Sequence, residues 1–217
     1  MNIADYFPLL IKGTLVTLGA WIISGILSLM LGSCLGILSC RALTTPLLSR
    51  FIKGYTFIAK GVPAYVQLLI AYFVIPALLG ITVSAFPVAL LALTFCSSGY
   101  VTEIVRSGIN TISRGQWDAC FVLGYPMRAT LFRIILPQAF KNILSPLLGE
   151  FEQLLKTTSL LATIGITEVT RTGMNIISRE LNPIPVYLLI ACIYLLFSAV
   201  LTIISNAIEK RVQYGNR

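Results

Sequence analysis

The sequence predicts an all-α, polytopic membrane protein with five transmembrane helices, its N-terminus outside and its C-terminus in the cytoplasm. Three observations support this fold class: the composition, the apolar stretches and the placement of the basic residues. Of the 217 residues, 57% are hydrophobic and 11% are charged, and the mean hydropathy is +0.89. Soluble domains carry about 25% charged residues, so we expect one membrane-embedded domain over residues 1–217.

Five apolar stretches are long enough to be interpreted as membrane spans. A helix needs about 20 residues to cross the hydrocarbon core, so this chain has no room for a separate soluble domain. The last stretch is the cleanest, whereas the fourth contains Glu150, Glu152 and Lys156 and is predicted to span with one polar face. The stretches are 13–40, 62–79, 86–105, 143–161 and 185–208.

The basic residues are divided unevenly between the two sides of these spans. Cytoplasmic loops hold an excess of Lys and Arg, and twelve of the 16 fall on one side. The opposite side has Lys12, Arg171 and Arg179, with Lys156 near that end of the fourth span. The richer side is therefore predicted to be cytoplasmic, and its basic residues are Arg41, Arg50, Lys53, Lys60, Arg106, Arg114, Arg128, Arg133, Lys141, Lys210, Arg211 and Arg217.

Composition also excludes several classes of function. The net charge of +8 is spread over short segments beside the spans and forms no basic patch, so no nucleic-acid partner is expected. The five cysteines show no paired spacing, which indicates neither a disulfide framework nor a metal site. With no histidine, Ser-His-Asp and Cys-His catalysis and HExxH zinc sites are excluded. The sequence also lacks a Gly-rich loop with Lys and Ser or Thr for nucleotide phosphates.

Small residues recur at every fourth position along the first stretch. This spacing places them in one stripe, where another helix backbone can approach closely. We therefore expect this stripe to pack against a neighbouring helix. Its members are Ser24, Ser28, Gly32, Gly36 and Cys40.

A polar segment between the third and fourth stretches has the most specific pattern in the chain. Gly115 can start a helix, and Gly124 can end one because glycine readily adopts the left-handed conformation. Trp117, Cys120, Phe121 and Leu123 would be its apolar anchors. Such a helix either seats in the cleft of a partner protein or rests on lipid headgroups. The pattern consists of Gly115, Gln116, Trp117, Asp118, Ala119, Cys120 and Gly124.

This pattern resembles the coupling loop of ABC importer permeases, where Glu-Ala-Ala, three further residues and Gly dock onto the ATPase. Asp118-Ala119-Cys120 precedes Gly124 at that spacing, with Asp and Cys as departures. Similarity to the polar amino acid permeases, which are MetI-like, covers nearly the whole chain. It includes the segments 60–63, 100–106, 125–139 and 149–160.

The resemblance implies a MetI-like ABC permease fold with a cytoplasmic coupling loop at about 106–141. It implies a permease subunit, not an enzyme, that imports a polar amino acid, glutamine or an arginine-like one, across the bacterial inner membrane. The implied partners are ATP-binding cassette ATPase subunits, a second or homologous permease, an extracytoplasmic solute-binding protein and lipid. ATP and Mg would be bound by the ATPase, so no cofactor is expected here. The alternative is an ion-driven carrier or channel without an ATPase.

Four residues are candidates for a substrate pathway: Gln67, Glu150, Glu152 and Lys156. An ionisable residue within a span costs about 2.5 to 3.5 kcal/mol, unless it faces the bundle interior or a wet cavity. Glu152 and Lys156 are four residues apart and able to pair, so this pair is either structural or functional. Gln67 needs a hydrogen-bonding partner and is either interhelical glue or a ligand contact. Glu150, helped by Gln67, is predicted to attract the α-ammonium or a cationic side chain.

Overall fold

The computed structural model describes residues 6–214, and every regular element in that range is helical. The predicted all-α class is therefore confirmed for these residues, whereas Arg217 lies outside them. The main helices are α1 (Phe7–Leu38), α2 (Pro46–Gly61), α3 (Ala64–Leu79), α4 (Ala85–Asn110), α5 (Arg114–Val122), α6 (Leu136–Thr157), α7 (Val169–Glu180) and α8 (Pro183–Tyr214). Shorter helical segments are the π-helical turn Ile70–Val74 within α3, Met127–Ala129 and Thr130–Ile135 before α6, and the 3-10 helix Thr158–Ile164 after it.

Within the described range, three helices are long and apolar enough to cross a membrane. They are α1, α4 and α8, and they coincide with the first, third and fifth predicted stretches. The pair α2 and α3 passes the same test together but is bent by 100° at its break. This gives three spans, or up to four if the bent pair is one span. Helix α6, at the fourth predicted stretch, is continuous over its 22 residues, but it is not among the helices that pass this test.

The segment between the first two predicted spans was predicted to be a loop, but it forms the helix α2. Its start is stabilised by Thr45, whose hydroxyl oxygen accepts a hydrogen bond from the N–H of Leu48 at 3.4 Å. Pro46 occupies the first turn, where its missing N–H has no helical partner to lose. Three basic residues predicted to lie in a loop are therefore held on a helix, and they are Arg50, Lys53 and Lys60.

The centre of the fold is the contact between α1 and α4, which is the most extensive helix pair. Two members of the predicted small-residue stripe, Gly32 and Gly36, lie in this contact. A Cβ atom at Gly32 would lie 2.5 Å from Val101 Cβ and 2.8 Å from the carbonyl oxygen of Ser98. One turn further on, a Cβ at Gly36 would lie 2.9 Å from the carbonyl oxygen of Thr102. Only glycine allows the two backbones to come this close.

Near the opposite end of α1, the segment Glu168–Val169 at the start of α7 is hydrogen-bonded to both α8 and α1. The oxygens of the buried Glu168 carboxylate accept hydrogen bonds from the N–H groups of Thr170 at 2.9 Å and Arg171 at 2.7 Å, which caps the start of α7. The hydroxyl of Tyr194 on α8 donates to the same carboxylate at 3.0 Å. On α1, the hydroxyl oxygen of Thr17 accepts from the N–H of Val169 at 3.2 Å. Burial raises the pKa of Glu168, and the two N–H donors act in the opposite direction.

Candidate functional site

The polar segment singled out in the sequence forms the helix α5, which connects α4 to α6. Gly124 follows its end with a φ of 74°, the left-handed conformation predicted for this glycine. Just beyond α4, the side-chain amide of Asn142 on α6 donates to the hydroxyl of Thr111 at 2.9 Å. The side-chain oxygen of Asn110 accepts from the backbone N–H of Arg41 at 3.1 Å. These bonds attach the chain just before α5 to α6 and to the segment that follows α1.

Helix α5 has an inner and an outer face. Cys120 is 4% exposed, and Trp117 packs against a core formed by α4 and α6. The outer face ends in three largely exposed apolar side chains, and their exposed fractions are 85% for Phe121, 82% for Val122 and 73% for Leu123. Trp117 and Cys120 were predicted to be anchors for a partner, but both side chains face the protein's own core. Phe121 and Leu123 are the predicted anchors that are free to meet another surface.

Polar groups of α5 lie beside these apolar residues. Gln116, Asp118 and Ala119 are exposed, and Gln116 accepts a long hydrogen bond of 3.4 Å from the amide of Gln138. A cavity of about 280 Å³ opens next to the helix, and Arg41, Arg114, Trp117 and Asp118 contribute to its lining. Near the end of α4, Arg106 and Glu103 form an ion pair, and their charged atoms are 2.6 Å apart.

A second cavity, of about 330 Å³, lies between α4, α6 and the bend that separates α2 from α3. Glu150 lines it, and one of its carboxylate oxygens accepts a hydrogen bond from the hydroxyl of Ser97 at 2.7 Å. The ammonium of Lys60 lies 5.6 Å from the ring centre of Tyr100, a cation–π distance. The polar or aromatic lining residues are Lys60, Cys96, Ser97, Tyr100, Glu150, Gln153 and Thr157.

This cavity contains one of the four residues predicted for a substrate pathway. Glu150 is in its lining, whereas Gln67, Glu152 and Lys156 are outside it. Sequence reasoning missed Ser97 and Tyr100 as lining residues because it took their segment only as the approach to α5. Ser97 and Tyr100 lie two residues before and one residue after Gly99, which packs on Ala59 of α2 and so brings this part of α4 to the bend.

The side-chain amide of Gln67 forms hydrogen bonds with the backbone at the bend between α2 and α3. Its side-chain nitrogen donates to the carbonyl oxygens of Ala59 at 2.8 Å and Val62 at 2.7 Å. The helical donor for Ala59 would be residue 63, which is proline and has no N–H. The Gln67 side chain therefore supplies the hydrogen bond that Pro63 cannot make. Of the two alternatives for Gln67, the structure favours a structural contact.

Glu152 and Lys156 form the predicted pair, with 2.7 Å between the ammonium nitrogen and a carboxylate oxygen. Both belong to a polar stripe along α6 whose members are exposed, except for Glu152, which is partly buried. Lipid would be an unfavourable environment for this stripe. Its members are Asn142, Ser145, Gly149, Glu152 and Lys156.

Comparison with known proteins identifies the family. The profile of the family described as "binding-protein-dependent transport system inner membrane component" matches residues 28–214. The chain is 33% identical to the arginine transport system permease protein ArtQ of Bacillus subtilis, over 95% of this chain and 93% of that protein. It is 35% identical to a putative glutamine transport system permease protein GlnP of Rickettsia typhi, over 94% and 92% of the two chains.

A solved structure agrees with these relatives. It is described as a crystal structure of an amino acid ABC transporter with histidines. Its chain superposes with a TM-score of 0.89 at 29% identity, covering 97% of each chain. The fold, the matched profile and the two relatives all point to the same group of membrane proteins. The chain belongs to the family of binding-protein-dependent transport system inner membrane components.

Proposed function

We propose that the chain is the permease subunit of an ATP-driven, solute-binding-protein-dependent importer of a polar amino acid. The observation that carries this proposal is the match of nearly the whole chain to amino-acid permeases. The substrate we propose is glutamine or an arginine-like amino acid, as the names of the relatives suggest. ATP and Mg are bound by a separate ATPase subunit in this proposal, and residues 1–217 act as one permease domain.

We propose five membrane crossings, made by α1, the bent pair α2–α3, α4, α6 and α8, with the N-terminus outside. The basic residues support this orientation, because Arg41 and Arg114 share a cavity at the end of α4 where α5 begins. Lys12 and Arg179 share another cavity beside Gly13 at the opposite end. The excess of basic residues on the first side is the pattern of a cytoplasmic surface.

The polar stripe of α6 supports pairing with a second permease. A span with Glu152 and Lys156 on its surface is costly in lipid but acceptable at an interface around a wet pathway. Gly149 and Ser145 would let a partner helix approach closely there. We therefore propose that the stripe faces a second copy of this chain or a homologous permease.

In this proposal α5 is the coupling helix that docks into the ATPase. Its outer face provides what a small interface needs, which is apolar side chains at the tip and polar groups beside them. The inner residues Trp117 and Cys120 fix the helix to α4 and α6, so that a displacement of the ATPase is passed to the membrane helices. Closure of the ATPases on ATP would turn the pathway outward, and hydrolysis would return it inward.

We propose that the cavity at Glu150 receives the amino acid. A carboxylate there attracts the α-ammonium group, and Lys60 on the same wall is able to attract the α-carboxylate. Ser97 holds the Glu150 carboxylate through its hydroxyl, which fixes the position of the negative charge. The volume of about 330 Å³ is at the lower end of the range for small-molecule pockets and suits a single amino acid.

Replacement of Phe121 by Ser tests the docking role. Loss of an apolar anchor lowers the binding free energy of an interface by more than about 1 kcal/mol. The amount of ATPase that copurifies with the permease should therefore fall at least about fivefold. ATP-dependent uptake in liposomes should fall in parallel. The control is Phe7→Ser, which removes an exposed phenylalanine at the start of α1, far from α5. Uptake that continues at full rate without nucleotide would refute the ATP-driven proposal and favour an ion-driven carrier.

Replacement of Glu150 by Gln tests the substrate cavity. Glutamine keeps an acceptor for Ser97 but removes the negative charge, so the KM for uptake should rise about tenfold, as for loss of one charged contact. The matched control is Glu209→Gln, which removes one carboxylate near the end of α8, outside the cavity. Equal KM values for wild type and Glu150→Gln, at equal expression, would exclude the cavity as the substrate site.

A further inference from the structure

The charged groups in the lining of the cavity at Glu150 match the backbone charges of one amino acid and leave none for its side chain. Among the described residues that line it, Glu150 is the one acid and Lys60 is the one base. The other acids of α4 and α6, Glu103 and Glu152, each have a basic partner on their own helix. The cavity therefore offers one carboxylate and one ammonium group, and the rest of its polar lining is neutral.

Three polar residues of this lining lie on one face of α6. They are Glu150, Gln153 and Thr157, and residues spaced by three and four positions share a helix face. At a rise of about 1.5 Å per residue, Gln153 lies about 4.5 Å from Glu150 along the helix axis, and Thr157 lies about 10.5 Å from it. The carboxylate is therefore followed by a neutral amide one turn away and by a hydroxyl at the next turn.

Two contacts between α4 and α6 show that these helices run in opposite directions. Ser97 donates a hydrogen bond to Glu150 at 2.7 Å. Further along α4, Gly108 packs against Ile143, which precedes Glu150 on α6. Residues after Ser97 on α4 therefore lie beside residues before Glu150 on α6.

This direction places the ammonium and the amide on opposite sides of the carboxylate. The ammonium of Lys60 lies 5.6 Å from the ring centre of Tyr100, which comes three residues after Ser97 and so lies on the side nearer α5. Gln153 comes three residues after Glu150 and so lies on the other side. The order along the cavity is ammonium, carboxylate, amide.

The side-chain amide of Gln153 is free to bind a ligand. Gln153 is exposed, and its side chain has no hydrogen-bonding partner in the described part of the chain, although its backbone carbonyl accepts from the hydroxyl of Thr157 at 2.8 Å. A primary amide has two N–H donors and one carbonyl acceptor. It can exchange two hydrogen bonds with a second amide, whereas a cation uses only its acceptor and a carboxylate uses only its donors.

We propose that the cavity selects a neutral amino acid with a side-chain amide, such as glutamine, and that Gln153 determines this preference. This rests on the proposed function, in which the cavity receives the amino acid. Glu150 binds the α-ammonium, Lys60 binds the α-carboxylate, and Gln153 pairs with the side-chain amide. The amide carbon of glutamine is three C–C bonds from Cα, about 4 Å when extended, which is close to the spacing of about 4.5 Å along α6.

Charged side chains fit this lining less well. Arginine has two cationic groups for the single carboxylate of Glu150, and glutamate has two anionic groups for the single ammonium of Lys60. In both cases one charge enters the cavity without a partner of opposite sign, which is unfavourable among membrane helices. We expect each to bind at least about tenfold more weakly than glutamine.

The experiment measures binding without the solute-binding protein, so that selection by that protein does not contribute. The permease is purified with its ATPase, placed in nanodiscs and kept without ATP. Binding of radiolabelled glutamine is measured by equilibrium dialysis, with unlabelled arginine or glutamate as competitor. The wild type should bind glutamine with a Kd at least about tenfold lower than that of either competitor.

Variants of Gln153 test its role directly. Gln153→Glu supplies a second carboxylate and should shift the ratio of the two Kd values at least about tenfold in favour of arginine. Gln153→Leu removes both hydrogen bonds and should raise the Kd of glutamine about tenfold. Gln153→Asn keeps an amide and should still prefer glutamine to arginine. The control is Asn206→Asp, which makes the same change from amide to carboxylate near the end of α8, outside the cavity, and should leave the ratio unchanged.

The inference and the proposed function fail in different ways. If the wild type binds arginine or glutamate as tightly as glutamine, and Glu150→Gln loses that binding, the preference is wrong and the substrate cavity stands. An unchanged ratio in Gln153→Glu together with an unchanged Kd in Gln153→Leu would also overturn the role of Gln153. If the wild type binds none of the three amino acids, the substrate cavity itself is refuted, and the inference falls with it.

Discussion

The close contact between α1 and α4 makes a prediction with a matched control in the same helix. Gly32→Ala places a methyl group where the structure has 2.5 Å to Val101 Cβ and 2.8 Å to the carbonyl oxygen of Ser98. Gly19→Ala, thirteen residues earlier in α1, meets nothing within 4 Å. The two substitutions are chemically identical and differ only in what faces the new methyl group.

The two substitutions are expected to change the free energy of unfolding in opposite directions. Replacing glycine by alanine within a helix stabilises it by about 0.5 to 1 kcal/mol, and Gly19→Ala should show this gain. At Gly32 the carbonyl oxygen belongs to the backbone and cannot rotate away, so the helices must separate. Such overpacking costs about 1 to 3 kcal/mol. The two variants should therefore differ by about 2 kcal/mol or more.

Thermal unfolding of the purified permease checks this difference. For a chain of this size, 1 kcal/mol shifts Tm by about 2 to 4 °C, so the two variants should be separated by about 4 to 8 °C. Gly36→Ala, whose methyl group would meet the carbonyl oxygen of Thr102 at 2.9 Å, should behave like Gly32→Ala. If Gly32→Ala unfolds at the same temperature as Gly19→Ala, then α1 and α4 do not touch at this glycine and the reasoning fails.

Two other contacts give further predictions. Glu168→Ala removes the cap of α7 and the carboxylate that accepts from the hydroxyl of Tyr194, which should lower the free energy of unfolding by about 2 to 4 kcal/mol. Glu168→Gln keeps one acceptor and should cost less. Tm and the hydrogen exchange of the first turn of α7 measure the difference between the two variants. Equal protection of that turn in both variants would contradict this role. Gln67→Glu brings a second acceptor against the carbonyl oxygens of Ala59 and Val62 and should destabilise more than the uncharged Gln67→Leu. The order of the two Tm values decides this, and the reverse order would show that the amide does not hold the bend.

The parts of this fold that follow from spacing were predictable from the sequence. Residues repeated every four positions share one helix face whatever surrounds them, so Gly32 and Gly36 could be assigned to a packing surface. The same holds for the pair of Glu152 and Lys156 and for Gly124 at the end of α5. In each case the information lies within a few residues of the chain.

Features that depend on what a residue faces were not predictable in this way. Trp117 lies on a short amphipathic helix, and its sequence does not say whether the ring turns toward α4 and α6 or toward a partner. Helix α2 was missed because its basic residues lower its hydropathy to that of a loop. Glu168 was missed because its partner Tyr194 comes from a distant part of the chain. For Gln67 a signal did exist, since Pro63 removes a donor that a nearby amide can replace.

The glycine contact between α1 and α4 has a mechanical consequence. Two backbones in direct contact cannot slide past each other without breaking their fit, and Asn110 also fastens the end of α4 to the chain just after α1. Only three residues separate α5 from α4, so a force applied to α5 would move α1 and α4 together as one rigid unit. Thr17, in the other half of α1, is hydrogen-bonded to the N–H of Val169 at the start of α7, so a small tilt at one membrane surface would also displace α7 near the other.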